Sequence, residues 1–320
     1  MPIPAVQVPA DLGMFPSHVT GRMRQLARGL TEPLRSPVLA LTVRPGKRLR
    51  SSLLGACAAF GSAAKERRLA RMGAVVELMH LASLLHDDVV DRAVTRRGLP
   101  AAHTVLGDEG AMLAGLACFS LAGMEAAELG PGVARLAARA AASLAHGEML
   151  DTERAFDVAL PMTDYLDLIR HKTGDLFRLA CLLGAAEAGV PASVAAALAD
   201  FGAAFGLAFQ ILDDCLDLEP RGSGKPGGTD HVLGLFGAPT LHALRADAGG
   251  ELAALLLSPG FSERDLPAVR ELVRARGGLD AAVALAREHH DAAVSCLDGL
   301  PGVPRAGLLA VAESAWRGAA

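Results

Sequence analysis

The sequence predicts an all-α protein with one large core, and three observations lead to this prediction. First, 51% of the 320 residues are hydrophobic, but only 4% are aromatic. Second, the helix formers Ala, Leu and Arg are abundant, and the β-branched and aromatic residues that favour strands are comparatively scarce. Third, the apolar stretches lack the strict alternation of half-buried strands. A chain of this length can bury about 75% of its unfolded surface, so a large core is available.

The apolar pattern divides the chain into helices separated by Pro, Gly and polar breaks. The first sixteen residues are proline-rich and predict an irregular segment, which leaves residues 17–320 as a single all-α domain. Residues 95–99 predict a loop, and the Gly- and Pro-rich residues 219–239 predict the one long interruption. The predicted helices span residues 17–42, 51–60, 69–91, 108–129, 132–154, 163–188 and 192–218, and helices resume after residue 239.

Charge and cysteine content exclude several classes of protein. The net charge is −4, whereas nucleic-acid binders carry a basic patch, so we expect no nucleic-acid partner. The five cysteines are scattered without CxxC spacing, which is typical of reduced thiols in a cytoplasmic protein. The N-terminus lacks the features of a secretory signal. Apolar stretches such as that from Ala111 to Met124 fall short of the roughly 18 to 20 residues that cross a bilayer, so we expect no transmembrane segment and only peripheral membrane contact.

Two aspartate-rich motifs indicate the chemistry. The pattern DDxxD occurs as DDVVD at residues 87–91 and as DDCLD at residues 213–217, each at the end of an apolar helical run. Positions i and i+4 lie on one helix face, so the first and last Asp of each motif project together. Such carboxylates repel each other, and their hard oxygens suit Mg²⁺. The coordination shell of this ion typically contains both protein carboxylates and substrate phosphates. The predicted magnesium-binding residues are Asp87, Asp88, Asp91, Asp213, Asp214 and Asp217.

Two other interpretations of these carboxylates stay open. A single DDxxD is often a solvated acidic helix face, although two motifs that each continue an apolar helix make this interpretation weaker. A di-iron helical bundle is the second, and it expects two Glu-x-x-His motifs plus two further glutamates. Glu77 and His80 supply one such motif, and the sequence contains no second one.

Basic clusters alternate with the acidic motifs along the chain. They are GKRLR at residues 46–50, Arg-Arg at 96–97, Lys-Thr at 172–173 and Lys225. Arg binds phosphate in a bidentate manner, and Lys acts as a mobile point charge. Each cluster alone is typical of a solvated surface. Together with the acidic motifs, the clusters predict a site for two polyphosphate groups and several Mg²⁺ ions.

These residues resemble the motifs of the trans-isoprenyl diphosphate synthase (polyprenyl synthetase) family over roughly residues 40 to 245. The family's GKxxR, its first aspartate motif with a trailing RRG, its KT pair, FQxxDDxxD and GKPxGxD are all present. They stand at residues 46–50, 84–98, 172–173, 209–217 and 224–230. The resemblance implies an isoprenoid synthase type helical bundle around a central active-site cavity, assembled as a homodimer. It also implies magnesium-dependent, head-to-tail condensation of isopentenyl diphosphate with an allylic diphosphate, which releases diphosphate.

The resemblance further implies a role for each matching residue. Three Mg²⁺ ions would be coordinated by Asp87, Asp91 and Asp213, with support from Asp88, Asp214 and Asp217. The allylic diphosphate would be held by Arg96, Lys172 and Lys225. Isopentenyl diphosphate would be held by Lys47, Arg50, His80 and Arg97. The residues near the developing carbocation would be Thr173 and Gln210.

Three residues depart from the family's usual pattern. Leu235 and Gly237 stand where Lys and Thr are common after GKPxGxD, and Ser51 stands where Pro is common after GKRLR. The segment between Asp217 and Gly224 is also short. These departures bear on closure of the loop and on affinity for diphosphate.

The length of the product depends on residues about one helical turn before Asp87. In the family, bulky aromatics four or five positions before the motif stop chain growth early. Here those positions are the small residues Ser83 and Ala82, so we expect a product longer than C20 and a shorter one in an Ala82→Phe variant. In the opposing interpretation these residues only ease helix packing, and a bulky residue such as Phe119 closes the pocket.

Three alternative functions are weighed against chain elongation. A class I terpene cyclase ionises the same substrates, but it has no use for the isopentenyl diphosphate site and usually lacks a second DDxxD. A non-catalytic subunit of a heteromeric synthase typically loses aspartate motifs, and both are complete here. A geranylgeranyl or farnesyl diphosphate synthase would share the chemistry and make a shorter product.

Overall fold

The computed structural model describes residues 15–44, 46–61, 65–219 and 228–319, and nearly all of its regular structure is helical. The all-α prediction is therefore confirmed. The α-helices of the described residues are α1 (Phe15–Ala27), α2 (Arg35–Val43), α3 (Leu49–Ala58), α4 (Glu66–Val90), α5 (Ala102–Leu129), α6 (Pro131–Glu153), α7 (Met162–Ile169), α8 (Asp175–Ala188), α9 (Ala192–Leu218), α10 (Ala238–Arg245), α11 (Glu251–Leu256), α12 (Leu266–Ala275), α13 (Gly278–Ser295) and α14 (Gly302–Ala319).

Short irregular elements join these helices. A π-helical turn, Arg170–Gly174, links α7 to α8, and a 3-10 helix, Thr229–Leu233, precedes α10. A second 3-10 helix, Glu263–Asp265, leads into α12. The loop predicted at residues 95–99 is instead a small antiparallel hairpin of β1 (Thr95–Arg96) and β2 (Leu99–Pro100). Two-residue strands are too short to show a period of two in the sequence, which is why this hairpin was missed.

Helix α1 begins at Phe15, two residues before the predicted start of the helical domain at residue 17, and residues 1–14 lie outside the described residues. Helix α4 is buried on most sides. It packs against α5 along most of its length and also contacts α1, α3 and α8. Helix α9 likewise packs between α8 and α13, so the two helices that carry the aspartate motifs are both central to the fold.

The core consists of three apolar clusters that share helices. The first joins the helices from α1 to α6 and α8, and the second joins α7 and the end of α9 to the helices from α10 to α13. The third joins α3, α8, α9 and the two last helices, with Phe177, Phe201 and Phe205 at its centre. Residues after 245 thus complete the core, and the sequence analysis assigned them no chemistry.

Helices α5 and α9 are also long and apolar enough, by length and composition, to cross a membrane. In the most apolar 18-residue stretch of each helix, 44% is buried inside the fold for α5 and 39% for α9. Core helices of water-soluble proteins meet the same criteria, so this finding is weak evidence for a membrane span.

Candidate active site

A cavity of about 450 Å³ lies at the centre of the bundle and brings both aspartate motifs together. Its walls come from the 46–50 segment, α4, the hairpin, α6, the π-helical turn, α9 and the 3-10 helix before α10. The predicted site residues that line it are Lys47, Arg50, His80, Asp87, Asp91, Arg96, Arg97, Lys172, Thr173, Gln210 and Asp213. Segments distant in sequence therefore converge as the motif pattern predicted. Lys225 lies outside the described residues.

The six predicted metal-binding aspartates separate into two groups. Asp87, Asp91 and Asp213 line the central cavity. Asp217 lines a smaller adjoining cavity of about 100 Å³, which shares Asp91 with the central one. Asp88 pairs with Arg96, and Asp214, although it also lines the small cavity, is hydrogen-bonded to Tyr165 and Gln210. The second Asp of each DDxxD motif is thus bound to protein groups, whereas the first Asp lines the central cavity.

Asp88 is fully buried, and its partner is Arg96. The Nε of Arg96 donates to Asp88 Oδ1 at 2.7 Å, and one terminal nitrogen lies 2.5 Å from the same oxygen. Burial would lower the pKa of Arg96, but the hydrogen bond and charge of Asp88 raise it above its ordinary value. Asp88 therefore holds the guanidinium of Arg96 at the cavity wall in its charged form.

Asp214 organises a chain of hydrogen bonds that ends in the central cavity. Its carboxylate accepts from the Tyr165 hydroxyl at 2.6 Å, from Gln210 Nε2 at 2.9 Å and from the Ala238 backbone at 3.3 Å. Gln210 Oε1 in turn accepts from the Thr173 hydroxyl at 2.6 Å. These hydrogen bonds fix the Gln210 amide and the Thr173 hydroxyl, which were predicted to lie near the carbocation. They also leave Asp214 few lone pairs for a metal.

Lys172 projects into the central cavity from the π-helical turn. It forms an ion pair with Asp151 and another with Glu148 at 3.2 Å. Burial would lower the pKa of Lys172, but Asp151, Glu148 and Asp87 raise it well above its ordinary value. Gly147 lets α6 approach this turn, because a Cβ there would lie 2.6 Å from the Lys172 backbone nitrogen. π-helical turns are frequent at functional sites, and this one presents two successive predicted site residues.

The GKRLR segment divides its basic residues between the cavity and the core. Lys47 and Arg50 lie over aromatic rings, Lys47 at 5.8 Å from Phe209 and Arg50 at 4.4 Å from Phe177. Burial lowers the pKa of Arg50 to about 10, which leaves it charged at neutral pH. Both side chains line the cavity, as predicted for diphosphate-binding groups.

Arg48 also borders the cavity, but its guanidinium is buried in an ion pair with Glu77 at 3.0 Å. Glu77 accepts two further hydrogen bonds from Ser51, one from its hydroxyl at 2.8 Å and one from its backbone at 3.1 Å. The departure at Ser51 therefore has a structural reason, because Pro has no backbone N–H to donate. These contacts also leave Glu77 no role as a di-iron ligand.

Lys47, Arg50 and Arg97 form the cationic side of the cavity, and His80 lies beside these groups. Burial and the neighbouring arginines lower the pKa of His80 well below its ordinary value, so this imidazole is neutral at pH 7. Arg97 donates to the backbone carbonyls of Leu41 and Arg44 at 3.3 Å and 3.2 Å. Burial and Arg48 lower the pKa of Arg97. This concentration of positive charge suits a polyanion.

The carboxylates of the site carry more negative charge than the neighbouring cations balance. Burial, together with Asp230 and Asp87, raises the pKa of Asp91 to about 7, and burial with Asp230 and Asp214 raises that of Asp217 to about 7. Among the described residues, no group of three or more His, Cys, Asp or Glu side chains forms a ready-made metal cage. An oxygen donor set that is incomplete without further ligands fits Mg²⁺, which completes its shell with water and phosphate oxygens.

We expect magnesium to bind about tenfold more tightly at pH 8 than at pH 6, because the ion must displace a proton from Asp91. A carboxyl pKa that is raised in the folded state lowers the stability of the metal-free protein as the pH rises toward 7, and the ion should restore that stability. The measurement is the rise in Tm with Mg²⁺ at the two pH values. Asp91→Asn should remove most of the difference. An equal rise at both values in the unmodified chain would contradict this prediction.

The small cavity explains one of the departures from the family pattern. Gly237 lies against Asp214, and a Cβ at this position would be 2.4 Å from Asp214 Oδ2. A Thr side chain therefore has no space here, and the Tyr165 hydroxyl fills the donor position beside that oxygen. Leu235 lines the same cavity and leaves that part of the wall uncharged. The short segment after Asp217 falls largely outside the described residues.

Several polar residues of the two cavities were not among the predicted site residues. They include Asp230, Glu148, Asp151 and Tyr165. Asp230 belongs to the GKPxGxD motif, and that motif was the available signal for it. Glu148 and Asp151 lie on one face of α6 at i and i+3, a spacing that is common on any helix surface. Tyr165 is the one tyrosine of the chain, but its partner Asp214 is 49 residues away.

The two residues that were expected to set product length lie in different environments. Ser83 lines the central cavity, one turn below Asp87, and its hydroxyl donates to the His80 carbonyl at 2.9 Å. Ala82 is fully buried in the first core cluster and is not part of the cavity wall. Phe119 also packs against that cluster, with its ring 6.1 Å from that of His86.

Comparisons with known proteins agree with the motifs. The family model for polyprenyl synthetase matches residues 31–272. Heptaprenyl diphosphate synthase component 2 of Geobacillus stearothermophilus is 34% identical over 280 residues, which cover 87% of this chain and 87% of that protein. Nonaprenyl diphosphate synthase of Mycobacterium tuberculosis is 33% identical over 281 residues, which cover 87% of this chain and 84% of that protein.

A solved structure has the same fold over almost its whole length. The geranylgeranyl pyrophosphate synthase from Lactobacillus brevis ATCC 367 superposes with a TM-score of 0.89 and is 28% identical. The superposition covers 97% of this chain and 98% of that one. The helical bundle around a central cavity is therefore shared with a protein that is similar in sequence as well.

Proposed function

Because this chain belongs to the polyprenyl synthetase family of trans-prenyltransferases, we propose that the residues of its central cavity bind magnesium and the two diphosphate substrates in the roles described below. The reaction elongates an allylic diphosphate by head-to-tail condensation with isopentenyl diphosphate and releases diphosphate. The observation that carries the residue assignment is the central cavity itself, in which both aspartate motifs face Lys47, Arg50, Arg96, Arg97 and Lys172.

Asp87, Asp91 and Asp213 would hold up to three Mg²⁺ ions together with the allylic diphosphate, and these ions would stabilise the charge of the leaving group. Asp217 and Asp230 extend this acidic region into the small cavity. Arg96 and Lys172 would contact the same diphosphate, with Lys225 as the further predicted contact. Asp88 and Asp214 support the site by orienting Arg96 and Gln210.

Isopentenyl diphosphate would bind on the cationic side, at Lys47, Arg50, His80 and Arg97. This places its double bond between the two diphosphate sites, where the allylic carbon becomes electron-deficient as its C–O bond breaks. Asp214 holds the Gln210 amide and Gln210 holds the Thr173 hydroxyl, and both groups would face that carbon. The released diphosphate would accept the proton that is lost afterwards, and the enclosed cavity would exclude water from the cation.

We propose a homodimer of single-domain subunits in the cytoplasm. Helix α5 carries exposed apolar side chains at Val105, Met112, Leu113, Leu116 and Met124, and Leu116 and Val105 are 58% and 66% exposed. A row of this size on a helix is typical of an interface between subunits. All five cysteines are free thiols, which supports a reducing compartment. A long apolar product would bring the exit of the cavity to a membrane surface.

We propose a product longer than C20. The two named relatives that are more than 30% identical are a heptaprenyl and a nonaprenyl diphosphate synthase, and the cavity wall one turn below Asp87 carries the small residue Ser83. The test is to incubate the purified protein with Mg²⁺, labelled isopentenyl diphosphate and allylic primers of increasing length, and to size the products. A series that extends beyond C20 supports the proposal. A stop at C15 or C20 would contradict the product length and keep the enzyme class.

Replacing Ser83 by Phe should shorten the product, because a bulky ring at the cavity wall blocks the growing chain. Ser83→Ala is the control, since it leaves the wall open and should leave the product distribution unchanged. Product sizing under the same conditions measures the effect. If Ser83→Phe makes the same product as the unmodified chain, the wall at this position does not limit growth. Ala82→Phe is a poorer test than the sequence indicated, because Ala82 is buried in the core.

A two-component enzyme is the second candidate, because one relative's name describes it as component 2 of a heptaprenyl diphosphate synthase. In that case the isolated chain would bind magnesium diphosphate and form little product until a partner subunit is added. A class I cyclase would give cyclic hydrocarbon without incorporating isopentenyl diphosphate. The same incubation therefore distinguishes all three functions.

A further inference from the structure

We propose that Arg154 is a further diphosphate-contacting residue, which leaves Asp164 and turns into the small cavity when the metal-bound allylic diphosphate is present. This inference rests on the proposed function and adds a residue to it. Arg154 follows the last residue of α6 and lines the small cavity. It belongs to none of the sequence motifs.

The charges of the small cavity call for a second cation. Its described wall contains five carboxylates, which are Asp91, Asp151, Asp214, Asp217 and Asp230. The permanently cationic groups among its described residues are Lys172 and Arg154. Lys172 is held between Asp151 and Glu148 at the boundary with the central cavity. Arg154 is therefore the second described cation of this acidic wall, where magnesium ions on Asp91 and Asp217 would hold a diphosphate.

The present contact of Arg154 is weak enough to exchange. A single terminal nitrogen lies 3.3 Å from Asp164 Oδ2, and the two side chains are 41% and 40% exposed. In contrast, Arg96 is held to the fully buried Asp88 at 2.5 Å. Exposed ion pairs contribute little to stability, whereas a guanidinium binds phosphate through two parallel hydrogen bonds. The exchange of Asp164 for a diphosphate oxygen is thus favourable.

The backbone keeps Arg154 beside the small cavity. Phe156, two residues later, has a left-handed conformation with φ of 63°, and its N–H donates to the Gly234 carbonyl at 2.8 Å. The ring of Phe156 covers Gly234, where an added Cβ would lie 2.5 Å from the ring. This contact joins the segment after α6 to the segment that carries Asp230 and Leu235. Leu235 lines the same cavity as Arg154, so a Lys at this position would supply an equivalent charge.

The first test is the affinity of the full-length protein for inorganic diphosphate with Mg²⁺, measured by calorimetry, together with KM values. Arg154→Gln should weaken diphosphate binding about tenfold and raise KM for the allylic diphosphate to a similar extent, because one charged phosphate contact is lost. KM for isopentenyl diphosphate and the Tm should stay nearly unchanged. Arg305→Gln is the matched control, since Arg305 pairs with Asp298 at 2.7 Å and lines neither cavity.

Two further variants separate contact with diphosphate from a merely structural ion pair. Asp164→Asn should bind magnesium diphosphate at least as tightly as the unmodified chain, because it releases Arg154, whereas a structural pair predicts the same loss as Arg154→Gln. Leu235→Lys should restore binding in the Arg154→Gln background. Unchanged binding in Arg154→Gln, or equal losses in both single variants, would overturn the inference and leave the proposed function intact. If the unmodified chain binds no magnesium diphosphate, the proposed function itself fails.

Discussion

Asp91→Asn is expected to lower kcat by about 10²- to 10³-fold while the metal-free protein becomes no less stable, and this combination distinguishes a metal ligand from a structural carboxylate. Asp91 lines both cavities, and its carboxyl pKa is raised to about 7 by burial and by repulsion from Asp230 and Asp87. The amide removes that repulsion in the folded state. It would also remove the carboxylate through which, in the proposed function, magnesium stabilises the departing diphosphate.

The measurements are kcat under saturating substrates and Tm without metal, for Asp91→Asn and for Asp108→Asn. Asp108 pairs with Arg92 on the surface at 2.7 Å and lines neither cavity, so this control should match the unmodified chain. Asp88→Asn should behave differently from both. It leaves Arg96 without its buried partner, so it should raise KM for the allylic diphosphate and lower Tm. A kcat within tenfold of normal in Asp91→Asn would argue against metal coordination by this residue.

Glu77→Ala should reduce the free energy of unfolding by about 3–5 kcal/mol, because it leaves the guanidinium of Arg48 buried without its partner. The two side chains are 7% and 4% exposed, so water replaces little of the lost interaction. Ser51 would lose its two hydrogen bonds at the same time. Since these contacts fix the 46–50 segment, the variant should also raise KM for isopentenyl diphosphate through displacement of Lys47 and Arg50.

Denaturant unfolding and steady-state kinetics measure the two effects. Glu128→Ala is the matched control, because Glu128 pairs with Arg71 at 2.6 Å but is 62% exposed, and exposed pairs contribute at most about 1 kcal/mol. Equal losses of stability in the two variants would show that burial does not decide the contribution of the pair at Glu77. A destabilised variant with an unchanged KM for isopentenyl diphosphate would separate this ion pair from the substrate site.

Much of the molecule follows from local rules that the sequence displays directly. The helix formers, the breaks at Pro and Gly, and the two DDxxD motifs at the ends of apolar runs predicted the bundle and its acidic centre. Helices α4 and α9 are buried as their continuous apolar patterns indicated. The small hairpin at Thr95–Pro100 was missed because strands of two residues leave no periodic pattern.

Only the tertiary structure showed that neighbouring residues of one motif make different contacts. Successive residues on a helix point about 100° apart, so Asp87 reaches the cavity while Asp88 reaches Arg96. In the same way, Arg50 lines the central cavity, whereas the guanidinium of Arg48 is buried against Glu77. A motif shows which residue types are present, but it does not show which of them the fold has already paired.

By itself, the sequence determined the all-α class, the family and the ionisable residues of the motifs, because these depend on composition, period and motif. The tertiary structure alone decided that Asp214 is held by Tyr165, that Gly237 must lack a side chain, and that Arg154 borders the small cavity. Each of these depends on contacts between segments far apart in the chain. No local pattern records such contacts, since they form only when the helices pack.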